Sequence, residues 1–243
     1  MNRLDWVFLG SLSYQKALEI QYGHARRVAA GADPVLFLLE HPATVTLGRQ
    51  ADRSNLGLTL PEYERRGIAV CDTLRGGDVT FHGPGQLVGY PVGSLDVFGC
   101  SVPAWVRGHA AAVIEFLRRF GIEAEWSDTH PGVWIGERKI AAFGFHISHR
   151  ISTHGFALNI DTDLSFYETI VPCGLRHLGV TSMARQISNT PSIEQAACEI
   201  SRLLAESFGW QPGRRLPADD FLKTSSFLLP QAACRRFTLE GSR

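Results

Sequence analysis

The sequence predicts a mixed α/β or α+β fold on three observations. Short apolar, β-branched runs are interspersed with amphipathic helical stretches, no regular βαβ rhythm connects them, and the central third reads as antiparallel hairpins. The 243 residues, 44% hydrophobic and 20% charged, suffice for a proper core. No Pro, Gly or polar linker separates autonomous apolar patterns before about residue 210. The expected organisation is a single catalytic domain over 1–210 and an irregular tail over 211–243.

Trp6-Val7-Phe8-Leu9 opens the chain as a strand, followed by a helix that Ser13 can cap and Gly31 ends. Val35 to Leu39 reads as a buried strand, and Thr44 to Leu47 as a second that turns at Gly48-Arg49. A short helix from Pro61 to Arg66 stops at Gly67, and Ile68 to Cys71 delivers the chain to a glycine-rich stretch. Ser101 precedes a helix with Pro103 in its first turn and Val106, Ala110, Val113, Leu117 and Phe120 on one face. Gly132 to Ile135 and Lys139 to Phe143 flank Gly136-Glu137-Arg138 as a tight hairpin, and His154 to Ile160 reads as its neighbour. A last helix carries Ile193, Ala197, Ile200, Leu204 and Phe208.

Basic and acidic residues number 24 each, so no global field draws the chain to nucleic acid or an anionic membrane. The start lacks the pattern of a secretory signal, and no run reaches the roughly 20 apolar residues of a membrane span; a cytoplasmic location is expected. Five irregularly spaced cysteines without a Cys-x-x-Cys pair argue against a disulfide framework or zinc knuckle and predict reduced thiols. The histidines show no ligand spacing, so no metal and no cofactor is expected. No Walker A loop, helix-opening Gly-x-Gly-x-x-Gly or Gly-x-Ser-x-Gly elbow is present.

Three segments can carry chemistry. Arg75 to Leu87 holds four glycines among polar residues and could present backbone N–H groups and Arg75 to an anionic or carbonyl-bearing group; glycine content alone does not separate this from a plain turn between strands. Pro172 and Gly174 impose a non-helical bend that exposes Cys173, the best context for a reactive thiol, which then needs a cation or base nearby. Lys139 is a candidate because its apolar flanks would desolvate its ammonium, although turn-flanking lysines are commonly just solvated.

Taken together, Arg75-Gly-Gly-Asp-x-Thr-x-His82-Gly-Pro-Gly-Gln86, Gly132-Val-Trp with Lys139-Ile140-Ala141, His154-Gly155-x-Ala157-Leu158-Asn159 and Pro172-Cys173-Gly174 closely resemble the lipoyl(octanoyl) transferase family. Leu47-Gly48-Arg49 and Thr181-Ser182-Met183 extend the likeness. The resemblance implies the biotin and lipoate protein ligase-like fold, a larger mixed sheet and a smaller sheet with surrounding helices. It implies transfer of octanoyl (or lipoyl) from acyl carrier protein to the lysine of lipoyl domains, in 2-oxoacid dehydrogenase complexes and the glycine cleavage H protein, as the first step of protein lipoylation. Carried over, Cys173 bears the acyl thioester and Lys139 is its partner. Arg75, Gly76, Gly77, Asp78, Val79, Thr80, Phe81 and His82, with Ala142, Phe143, Gly144, Gly155, Phe156 and Ala157, would line the acyl and carrier-arm pocket. Backbone N–H groups near Cys173 or in Gly83-Pro84-Gly85 are two candidates for the oxyanion site. One rival reading is a lipoate or biotin ligase, which activates a free acid with ATP and needs no cysteine; a second is a non-catalytic module that binds acyl carrier or lipoyl domains without turnover.

Overall fold

The computed structural model describes residues 3–171 and 179–223 and the backbone of 234–235. Strand β1 (Arg3–Ser11) leads into α1 (Tyr14–Ala29), whose N-cap is Ser13, its hydroxyl accepting from the Lys16 N–H. There follow β2 (Val35–Glu40), β3 (Thr44–Leu47), the short α2 (Leu60–Arg65), β4 (Ala69–Asp72), β5 (Val79–His82) and β6 (Gln86–Val92). Helix α3 (Val102–Arg119) begins at the Ser101 cap, and β7 (Glu125–Ser127), β8 (Gly132–Ile135), β9 (Arg138–Ser148) and β10 (Ile151–Asn159) form the antiparallel run expected from the hairpin pattern. The two-residue β11 (Gly179–Val180), α4 (Ile193–Ser207), β12 (Gln211–Arg215), α5 (Asp219–Leu222) and β13 (Cys234–Arg235) complete the described elements.

The larger sheet has the order β12-β1-β2-β6-β10-β9-β8-β7, with β11 beside β9; the smaller has the order β13-β4-β3-β5. β1 pairs in parallel with both β2 and β12, whereas β2, β6, β10, β9 and β8 are joined antiparallel. Period-two alternation splits β2 cleanly. Leu36 and Leu38 join the core beneath α3 and α4, while Val35, Phe37 and Leu39 join the core beneath α1. A third cluster, with Val45, Tyr63, Val79 and Phe81, fills the smaller sheet.

Two expectations change. The tail after residue 210 begins with β12, not irregular chain, because β1 offers an open edge and Gly213 permits the close approach: a Cβ there would overlap Leu4 and Asp5 backbone. The glycine-rich stretch, left open between a binding loop and a turn between strands, has strands on both sides of its Gly83-Pro84-Gly85 turn, since Val79-Thr80-Phe81-His82 alternates and pairs with β3. Cys71 is fully buried and disulfide-bonded, with Cys234 opposite it in the β4–β13 register, so the expectation of five reduced thiols fails at this position. Among the described residues no helix is long and apolar enough to cross a membrane.

Candidate active site

A cavity of about 730 Å³ lies between the two sheets, within the range of small-molecule sites. Its wall follows β9 from Lys139 to Ile147, about 27 Å at ~3.4 Å per residue. Ala142, Phe143 and Gly144 come from β9, Gly155, Phe156 and Ala157 from β10, and Arg75, Gly76, Gly77, Asp78, Thr80 and His82 from the glycine-rich stretch. Val79 and Phe81 do not line it. They occupy the opposite face of β5 and pack in the smaller sheet's core, as the two-residue period of a strand requires. Cys173, with Pro172 and Gly174, lies outside the described residues.

Glycine explains how the stretch reaches β9. A Cβ on Gly144 would stand 2.9 Å from Gly76 O and 3.3 Å from Arg75 Cδ, and the Gly76 N–H donates to Phe145 O at 3.0 Å. Arg75 is buried, and its guanidinium is spent largely on the protein. It donates to Thr46 Oγ1 (3.0 Å), Thr46 O (2.6 Å), Asp78 O (2.6 Å) and Gly76 O (3.0 Å), so it braces the stretch it was expected to present to substrate. The Gly85 N–H is committed to Glu40 Oε1 at 2.7 Å, and neither Gly83 nor Gly85 lines the cavity. The Gly85 N–H is therefore not free to serve as an oxyanion donor.

Lys139 is half-buried at one end of the cavity. Its Nζ donates to Pro131 O at 3.2 Å and stands 4.9 Å from the centre of the Trp134 ring. Behind it are Thr129, His130 and Pro131; along the cavity, Val102, Val106, Trp126, Phe145 and Ile147 supply apolar surface.

The other wall is polar, buried and electrically neutral for the most part. Behind the lining residue Tyr90, Nδ1–H of His41 donates to Leu12 O at 2.7 Å, leaving Nε2 to accept from Tyr90 OH at 2.7 Å. His154, in a left-handed conformation at φ 57°, has its N–H held by Gln21 Oε1 and its ring between Tyr14 OH (3.3 Å) and Tyr22 OH (3.5 Å). Burial, then the Arg75 charge, pushes His154 down to about 3; burial takes His41 down to about 4 and Tyr14 up to about 12. His82 is held well below its usual value by burial first, and by the neighbouring His41 and the Arg75 charge. These imidazoles are therefore neutral at pH 7 and serve as fixed dipoles, not as proton stores.

Tyr14, Tyr90, His154, Asn159 and Tyr167 line the cavity without having been singled out as binding residues. His154 and Asn159 had a signal, since they bracket the His-Gly-x-Ala-Leu-Asn motif. Tyr14 had none, as one more residue on the buried face of α1.

The fold and cavity agree with comparisons to known proteins. The lipoyl protein ligase A/B catalytic domain model matches residues 13–205. The chain belongs to that family. An octanoyltransferase of Solibacter usitatus is 46% identical over 214 residues, covering 86% of this chain and 96% of that protein. One from Chloroflexus aggregans is 40% identical, covering 87% and 98%, and one from Myxococcus xanthus is 42% identical, covering 86% of this chain and 59% of that longer protein. Among solved structures, a lipoate-protein ligase A bound with ATP superposes with a TM-score of 0.74 at 19% identity, covering 91% of this chain and 93% of that one. A putative lipoate protein ligase from T. acidophilum gives 0.69 at 19% identity, covering 91% and 92%. At that identity the likeness concerns the fold, which is the ligase-like α+β architecture expected from the motifs.

Proposed function

We propose that the chain is an octanoyltransferase that takes octanoyl from the thioester of an acyl carrier protein and delivers it to a lysine of a lipoyl domain. The observation that carries this reading is the long cavity between the sheets, with Lys139 at one end and an apolar strip along β9, in a chain 46% identical to an octanoyltransferase over nearly that protein's full length. A cytoplasmic setting belongs to the same reading.

In this mechanism the Cys173 thiolate attacks the donor carbonyl, the carrier thiol leaves with a proton, and octanoyl remains on the Cys173 sulfur. The exchange of one thioester for another is nearly isoenergetic and needs no ATP. The acceptor amine then attacks, an amide forms, and Cys173 recovers its thiol. This second step is downhill because an amide is more stable than a thioester, provided that the ammonium proton is removed and water is excluded. Lys139 fits the proton-carrying role: as a cation it favours the thiolate, and as a free amine it takes the proton. His82 and His154 in the cavity wall do not compete, because burial holds them neutral.

Wild-type protein with octanoyl-acyl carrier protein and an apo lipoyl domain, without ATP, is expected to octanoylate the domain on lysine. Transfer only from free octanoate with ATP would assign ligase chemistry instead.

A further inference from the structure

Strand β10 ends at Asn159, before it reaches the start of β9 at Arg138 and Lys139. The ladder beside Leu158 reaches Ala141, and the next stretch of β9 is taken over by β11, with Val180 opposite Lys139 and Gly179 opposite Arg138 in parallel. Two strands of opposite direction thus meet end to end against β9 at the residue whose side chain carries the proton in the proposed mechanism. A two-residue strand is short for an independent ladder. Something must hold β11 there.

Asn159 does. Its Nδ2 donates to Thr181 O at 3.0 Å, and the Thr181 N–H donates to Lys139 O at 2.9 Å, so one residue, Thr181, links the Asn159 side chain to the Lys139 backbone. Its Oδ1 accepts from Gln86 Nε2 at 2.9 Å and from Tyr167 OH at 3.3 Å. Gln86 in turn has its Oε1 against His82 Nδ1 at 2.8 Å, and since its Nε2 donates to Phe81 O and Asn159, the oxygen accepts and Nδ1 carries the hydrogen. His82 Nε2 is left to accept from Thr46 Oγ1 at 3.5 Å, the same hydroxyl that receives Arg75 Nε. The run Arg75, Thr46, His82, Gln86, Asn159, Thr181, Lys139 is a directed chain of donors and acceptors joining the smaller sheet to the start of β9. Gln86, Asn159 and Thr181 are each at most 3% exposed, so water does not substitute for these bonds.

We infer that Asn159 is the positioning residue for Lys139, acting through the backbone of Thr181 and tying the placement of Lys139 to that of the glycine-rich wall. This rests on the reading of Lys139 as the proton carrier. The decisive variant is Asn159→Asp, which keeps the oxygen that Gln86 and Tyr167 donate to and removes the N–H that reaches Thr181.

Two readouts are taken on the full chain, amide hydrogen exchange at Thr181 and steady-state octanoyl transfer. In wild type the Thr181 amide should be protected, as part of a buried ladder. In Asn159→Asp its exchange should quicken about tenfold or more while the β10–β6 amides stay protected. kcat should fall about tenfold or more with the KM for octanoyl-acyl carrier protein within about twofold, the pattern of a displaced acid–base group. Asn159→Ser, neutral and smaller, carries the same test if the first variant does not melt cooperatively. An unprotected Thr181 amide in wild type, or a variant with unchanged exchange and kcat, overturns the inference. A raised KM with unchanged kcat also overturns it, since Asn159 would then be contacting the donor. If wild type transfers nothing without ATP, the transferase reading fails, and the exchange data still decide whether Asn159 holds the Lys139 strand.

Discussion

Gly132 leaves the space that the Lys139 side chain fills: a Cβ at residue 132 would stand 2.9 Å from Lys139 Cε and 3.0 Å from Ala141 O. The glycine of the Gly-Val-Trp segment is thus accounted for by the lysine across the β8–β9 hairpin. Its neighbour Trp134 supplies the ring under the same ammonium. Gly132→Ala is expected to push Lys139 off its position and lower kcat about tenfold to a hundredfold, with a stability loss of about 1–3 kcal/mol. Transfer kinetics alongside urea denaturation check it; unchanged kcat would show that the lysine tolerates displacement.

Arg75 makes a different prediction from the one its sequence context suggests. Because its guanidinium spans Thr46, Gly76 and Asp78, a lysine there cannot reproduce the fork. Arg75→Lys should destabilise the fold by about 1–3 kcal/mol and raise the donor KM together, since the cavity wall loosens with its brace. A KM effect without any stability loss would return Arg75 to a purely substrate-binding role.

Gly155 packs against the Gly89 carbonyl so closely that a Cβ would overlap it. Gly155→Ala should cost about 1–3 kcal/mol by forcing β10 away from β6. The folded variant should accept octanoyl less well than wild type, as Gly155 also lines the cavity. Chemical denaturation and transfer assays measure the two effects separately.

The buried histidines set a pH dependence of stability. His154, His41 and His109 have folded values of about 3, 4 and 4, all below the unfolded 6.5. Between about pH 4 and 6.5 the unfolded chain therefore binds more protons than the folded one, so stability is full above about pH 6.5 and falls as pH drops. Each such histidine contributes a slope of about 1.4 kcal/mol per pH unit where it is charged only when unfolded. Urea midpoints measured from pH 7.5 to 4.5 should fall steeply. A flat profile would mean that these rings are solvated or charged in the folded protein.

Much of this was legible beforehand because the signals were local. The Ser13 and Ser101 caps, the turn at Gly136 and the apolar face of α4 depend on residues close in sequence, and each element formed where its pattern indicated. The cavity residues near Lys139 and along β10 followed from motifs. What was hidden depends on distant partners. Nothing near Gln211 announces that β1 offers it an edge, nothing near Tyr14 announces that His154 lies across from it, and Arg75 reads as a presented charge until Thr46 is folded against it. Val79 and Phe81 were assigned to the pocket with their whole segment, whereas the strand period sends them into the core.

The central claim is that octanoyl passes through the Cys173 sulfur without ATP. Intact-mass spectrometry of wild type and Cys173→Ala, each mixed with octanoyl-acyl carrier protein in the absence of ATP, tests it most directly. The account predicts an octanoyl adduct on wild type that hydroxylamine removes and that an apo lipoyl domain discharges, and no adduct on the variant. An adduct that persists in Cys173→Ala, or wild-type transfer with no covalent intermediate, would contradict it.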